Sequence, residues 1–268
     1  MSGVESLKNL SDHYRVVRPL EAGAAADRVL VKRAETLSAH VAHTPGEGGL
    51  LDARDQIEMS SILSSMRVAH IAPIEEVVRD ERNRVVIVTP YFGNSSGQVT
   101  LETLATSRGT RLGPEEVEAA ADHILHAMDD MHGGRVYNGP IAAKQILVDR
   151  QGRVQIEHFG WARIAAKGLR DARTAREDEI RGEVRSVVEV LFRCLTGLDS
   201  RTMGVSPSQV VSSLDPVLDE WFAIGLKEGA GFESAAAARA GLPEHQRQRQ
   251  PPQGGVLRSI GRLLRMGP

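Results

Sequence analysis

Residues 145–163, Q-I-L-V-D-R-Q-G-R-V-Q-I-E-H-F-G-W-A-R, hold the densest group of chemically informative positions in this 268-residue chain. The apolar run 146–148, the polar turn 149–152 and the alternating Val154 and Ile156 predict a two-stranded hairpin. That hairpin delivers His158, Phe159 and Gly160 to the loop behind it. An imidazole there can take up a proton or bind a borderline metal, but it is a poor ligand for Mg²⁺, which wants oxygen donors. Other histidines are spaced suggestively. His123 and His126 share a face of a predicted helix, with His132 two turns on, a spacing that Zn²⁺ can use. No acidic or cysteine partner follows that pattern, so a structural or exposed role is expected. His40 and His43 fall on a predicted strand, where an offset of three sends the two rings to opposite faces. The single cysteine, Cys194, lies in an apolar run, which excludes a disulfide framework and a cysteine zinc site and suits a reducing compartment. Lysine is scarce: Lys8, Lys32, Lys144, Lys167 and Lys227 are all of them.

The elements that must position these groups fall into two halves. Residues 14–20, 28–32 and 38–43 read as short strands, the first two flanking E-A-G-A-A-A. Residues 50–66 carry helical spacing, with Leu51, Ile57, Ile62, Leu63 and Met66 on one face. Residues 71–78 and 85–89 read as strands joined by a charged turn. Beyond Gly93 the pattern is helical. Pro114, Glu115 and Glu116 open a strong helix, as the macrodipole favours. Residues 183–195, ended by Gly197, and 216–226 form two more. The mixed-charge run 170–185 reads as a solvated segment able to pair at helical spacing, with Thr174 a candidate for phosphorylation. A hydrophobic content of 41% is enough for one bilobal domain or two modest ones, and a net charge of −2 gives no pull towards nucleic acid. Residues 1–12 have no apolar secretory core and no stretch approaches 18 apolar residues, so a cytoplasmic location is expected.

In register, residues 14–242 resemble the eukaryotic-like serine/threonine protein kinases. The hairpin resembles the one running from the catalytic loop into D-F-G. Glu58 falls where the small-lobe helix carries its glutamate, and R-V-A-H-I follows in place of H-P-N-I-V. Thr89 takes the gatekeeper position and residues 90–93, including Tyr91, match the hinge. S-V-V-E-V-L-F-R-C-L-T-G resembles the family's buried helix S-L-G-V-V-L-Y-E-L-L-T-G. The resemblance implies an α+β bilobal fold: a small antiparallel β lobe with one helix (residues 13–93) and a mainly helical lobe (residues 94–242).

The chemical positions depart from the family. The loop expected as H-R-D-L-K-P-x-N reads N-G-P-I-A-A-K-Q. Pro140 stands at the general base, where a pyrrolidine ring cannot accept a proton, and a base alone is commonly worth ~10²–10⁴-fold. Ala142 replaces the loop lysine, Gln145 the metal-binding asparagine and His158 the main metal ligand. The phosphate-covering loop keeps only Gly23, and Glu21 places a carboxylate where phosphate would sit. Lys32 is the nearest candidate for the strand lysine, though too close to Gly23; without it Glu58 is an orphan on the helix surface. The segment after Phe159 and Gly160 is short, with no A-P-E. The resemblance therefore implies a pseudokinase with a vestigial cleft and no cofactor expected, leaving open weak or metal-independent nucleotide binding. It implies a scaffold or allosteric role with protein partners and no nucleic acid. The alternatives are a divergent active kinase or nucleotidyl transferase with an unconventional ATP and metal site, or a membrane-surface adaptor.

Residues 243–254 read as a flexible linker, and residues 255–268 as a cationic amphipathic helix. Val256, Leu257, Ile260, Leu263 and Leu264 share one face, with Arg258, Arg262 and Arg265 largely opposite. Such a helix suits a partner's groove, an anionic membrane surface or its own domain.

Overall fold

The computed structural model describes residues 7–21, 26–45, 53–93, 97–107, 111–200 and 205–249. Two lobes follow one another along the chain. The first contains α1 (Leu10–His13), β1 (Tyr14–Pro19), β2 (Ala26–Arg33), β3 (Ala39–Pro45), α2 (Ala53–Met66), β4 (Glu76–Arg79) and β5 (Val85–Pro90). Its five strands form an antiparallel sheet in the order β1-β2-β3-β5-β4. The run V-V-I-V-T is buried throughout β5 because that strand is paired on both edges and rich in β-branched residues. Tyr14, Val31, Ala42, Val78, Val86 and Val88 make the core of this lobe.

The second lobe begins with β6 (Val99–Thr100) and α3 (Leu101–Ser107), then the long α4 (Pro114–Gly133). The hairpin β7 (Ile146–Val148) and β8 (Val154–Ile156) joins β6 in a three-stranded sheet. Then come α5 (Trp161–Ala172), α6 (Glu177–Thr196), α7 (Pro207–Val210), α8 (Pro216–Gly225), α9 (Ala235–Ala240) and α10 (Pro243–Arg249). Local sequence explains most of the ends. Pro114 occupies the first turn of α4, and Glu116 Oε2 accepts the Gly113 amide at 2.9 Å. Asp215 caps α8 by accepting the Val217 amide at 2.9 Å. Gly197 ends α6 at φ 74°, the left-handed geometry glycine adopts without penalty. α6 is the core helix: Val184, Val187, Val188, Leu191, Phe192 and Leu195 are buried, and Phe192 meets Phe222 of α8 edge-on at 5.9 Å.

Several expectations are corrected here. The strand predicted over residues 71–78 is confined to Glu76–Arg79; Ile71 makes only an isolated bridge to Ile156, tying the lobes together. Residues 7–12 are not all tail, since α1 is helical and Asn9 bridges to Arg79. The linker predicted over residues 243–254 is wrong for its first half: residues 243–249 are helical because the side chains of α4 seat them. The charge run 170–185 is not simply solvated, because Glu183 is buried. The segment after Gly160 is helix α5 rather than a loop; Trp161, Ile164, Leu169 and Ala172 bury its apolar face. The candidates at residues 255–268, and Gly23, lie outside the described residues.

Candidate functional site: the cleft between the lobes

Strand alternation aims Ala26 and Arg28 inward on β2 and sends Asp27 out. Arg28 Nη1 donates to Glu157 Oε2 at 2.9 Å, with side-chain exposures of 5% and 3%. Its Nε donates to the Glu21 carbonyl at 2.8 Å, so Glu21 contributes main chain to the cleft while the residue itself is exposed. Burial pushes the Glu157 carboxyl up, and the Arg28 charge opposes that push. A pair this deep is costly to desolvate and costlier to break, because the survivor is left charged and unpaired.

Two histidines sit beside the pair. His43 comes from β3, and its Nε2 lies 2.8 Å from Thr89 Oγ1 on β5. His158 lies at the end of the hairpin with φ 52°, and its ring meets His43 edge-on, centroids 4.6 Å apart. Trp161 also meets the His158 ring edge-on, with centroids 5.7 Å apart. His158 keeps some surface as a residue, yet both ring nitrogens are shut off from solvent and unpartnered, and they are where a proton would bind. Burial, and then the Arg28 charge, lowers His158 to about 4. Burial holds His43 well below the ordinary imidazole range, with His158 and Arg28 adding to the effect. Both rings are therefore neutral at pH 7. The space left among His43, Thr89, Glu157, His158 and their apolar neighbours is about 10 Å³, the scale of a single water.

The loop expected to hold the catalytic groups is rigidly held. Glu183 accepts the Asn138 and Gly139 amides at 3.0 Å each and lies 3.1 Å from His132 Nε2. Ser186 Oγ accepts the Ile141 amide at 2.9 Å. Asn138 Oδ1 accepts the Gly160 amide at 2.8 Å, joining this loop to the hairpin. Gln145 is buried, and its amide oxygen accepts from the Ala142 backbone at 3.0 Å, so the loop already claims one of the two lone pairs of that oxygen. Pro140 is exposed and Ala142 half-buried. Arg163 of α5 donates to the carbonyls of Ala172 and Thr174 and to Glu179 Oε2 at 2.9 Å. With Lys167 and then Arg163 donating to it, Glu179 is pulled down to about 2.

The remaining predicted residues separate into those brought to the cleft and those kept from it. Phe159 is fully buried and Gly160 takes φ 83°, where a Cβ would stand 2.7 Å from Met59 Cε of α2. Thr89 reaches the cleft through His43, and the Tyr91 amide donates to Ala39 O at 3.1 Å in the hinge. Lys32 does not take the strand-lysine position; it is exposed on β2, opposite Ala39. Glu58 is exposed too, while Gln56 and Met59 are the neighbours turned inward. His40 faces away from His43 and meets Glu75 at 2.7 Å, as the alternation requires. His123 stacks on His70 at 4.2 Å, and His126 faces Asp130.

Sequence reasoning missed Arg28, Glu157 and Glu183, and named His43 only as one of two rings on opposite faces of a strand. Two left a trace: Glu183 is a carboxylate on the apolar face of a core helix, and Arg28 sits at an inward position of its strand. Among the described residues, no three His, Cys, Asp or Glu side chains converge as metal ligands. The position expected to supply the main Mg²⁺ ligand does not fit that ion, because His158 offers ring nitrogens where an oxygen donor is wanted.

No family model matches the sequence. A serine/threonine-protein kinase of Yarrowia lipolytica is 24% identical over 167 residues, 58% of this chain and 22% of that protein. The chain thus spans about a fifth of the length of the curated relative it matches. The PknI kinase domain of Mycobacterium tuberculosis superposes with a TM-score of 0.63 at 15% identity, covering 87% of this chain and 96% of that one. A double mutant of the same domain gives 0.66 at 15% identity with the same coverage. Identity this low speaks to architecture alone. The chain has the α+β, bilobal protein-kinase-like fold.

Proposed function

We propose that this chain is a pseudokinase that works as a scaffold or allosteric partner through protein–protein contacts. The observation that carries the reading is the packing of neutral His43 and His158 against the Arg28–Glu157 pair. Phosphoryl transfer depends on positioning and on charge stabilisation by metal and lysine. Here a strand histidine, a hairpin histidine and a buried ion pair take the volume such groups would need. Pro140 offers no base. The rigidity of the Glu183-clamped loop favours one competing reading, a divergent transferase whose loop is still held for work. That reading needs tight, metal-dependent ATP binding. A thermal-shift series with ATP and Mg²⁺ or Mn²⁺ separates the two. A pseudokinase of this kind gives no metal-dependent shift and transfers no label. A metal-dependent shift, with labelled phosphate or nucleotide appearing on a protein, would overturn the proposal. A cytoplasmic location and a protein partner belong to the same proposal; among the described residues no helix is long and apolar enough to cross a membrane.

A further inference from the structure

A groove of about 560 Å³ opens on the helical lobe between α3, α4 and the β7–β8 turn. Leu104, Ala119, Val148 and Val154 supply apolar wall. Glu115, Glu116 and Asp149 stand on its lining against Arg150 and His123, whose charged form burial disfavours. Glu116 also closes the start of α4, and Asp149 also holds the hairpin turn through Arg153. Burial pushes the Asp149 carboxyl up, but the Arg153 amide and guanidinium and the Gln151 amide outweigh it and leave it lowered.

The last described helix, α10, is seated on the neighbouring flank of α4. Glu118 Oε1 accepts the Glu244 amide at 2.7 Å and faces Arg247 Nη2 at 3.5 Å. Asp122 Oδ1 lies 2.6 Å from His245 Nε2. Glu118 follows Glu115 by three residues, so on a helix their Cβ atoms lie roughly 5–6 Å apart. Glu118 meets both Glu244 and Arg247, so α10 lies along the helix that walls the groove. Residues 250–254 can span about 17 Å when extended. Beyond them come Val256, Leu257, Ile260, Leu263 and Leu264 with Arg258, Arg262 and Arg265, and no acidic residue occurs after Glu244.

We propose that residues 255–266 dock within the same molecule in this groove as a short helix. Leu257, Ile260 and Leu263 face its apolar wall, and the arginines face Glu115 and Glu116. A segment of about eleven residues is marginal as a free helix, so it needs such a surface. A five-residue tether holds it at an effective concentration on the order of millimolar. This goes beyond the pseudokinase reading and stands whether or not the cleft is active.

Paramagnetic relaxation in the full chain tests it. Ser259→Cys takes a nitroxide label, while the native thiol of Cys194 is buried and pushed up to about 11, out of reach of the reagent. Amide signals of residues 112–123 and 148–154 are expected to lose most of their intensity, unchanged when the labelled chain is diluted with unlabelled copies. Ala119→Arg, an exposed position, fills the groove with like charge and should restore those signals severalfold. Three outcomes each overturn the proposal: broadening confined to residues 243–249, broadening around Tyr14 and Asp80 in the small-lobe pocket, or broadening that dilution abolishes.

Discussion

His158→Asn offers the sharpest test of the cleft, read through the pH dependence of stability. In the folded chain His158 has a pKa of about 4, whereas an unfolded imidazole titrates near 6.5. Between those values the unfolded chain binds a proton that the native chain excludes, so stability is full above pH 6.5 and falls as the pH drops. Each pH unit is worth about 1.36 kcal/mol, so this one ring costs about 2 kcal/mol at pH 5 and about 3 kcal/mol at pH 4, where the native ring begins to bind its own proton. Asparagine does not titrate, and it tolerates the left-handed φ of 52° that His158 adopts. Urea unfolding of both proteins at pH 7.5, 6.0 and 5.0 isolates the effect, because groups that do not face His158 cancel in the comparison. His43 remains buried in the variant and continues to titrate, mainly through its own burial. Between pH 7.5 and pH 5 the wild type should lose about 2 kcal/mol more than the variant, at unchanged denaturant slope. Parallel curves, within about 0.5 kcal/mol, would refute the placement of a neutral, sealed imidazole here.

Three further outcomes follow from the same contacts. Glu157→Ala leaves Arg28 buried and unpaired and should cost roughly 3–5 kcal/mol in urea unfolding, while Arg28→Met with Glu157→Leu should recover most of it. Glu183→Ala strands the Asn138 and Gly139 amides, so their hydrogen exchange should accelerate selectively and stability fall by roughly 2–3 kcal/mol. Gly160→Ala forces a Cβ towards Met59 at φ 83° and should cost roughly 1–3 kcal/mol, measured as a lowered Tm; Met59→Ala added to it should relieve the clash but not the backbone strain.

Much of this architecture could be read locally. Periodicity found α4 from its proline and paired glutamates, and Gly197 marked the end of α6. The hairpin was legible because its turn and its alternation each act within a few residues. Helix α10 was missed because proline, glutamine and arginine composition suggests a linker, whereas the contacts that seat it come from Glu118 and Asp122, more than a hundred residues earlier. Helix α5 was missed for a similar reason: its apolar face has a surface to cover only once α2 is in place.

In the site, the sequence by itself determined which groups two positions cannot supply. Proline at 140 cannot be a base wherever it lies, and histidine at 158 cannot supply carboxylate oxygens. Tertiary structure alone decided what stands in their place. Arg28 and Glu157 lie 129 positions apart, and no local rule pairs them. Their meeting depends on which face of β2 turns inward and on how the two lobes close. The same closure brings His43 and His158 into contact and withdraws their nitrogens from water. Residue identity sets which groups are present; burial and long-range pairing set the charge each of them carries.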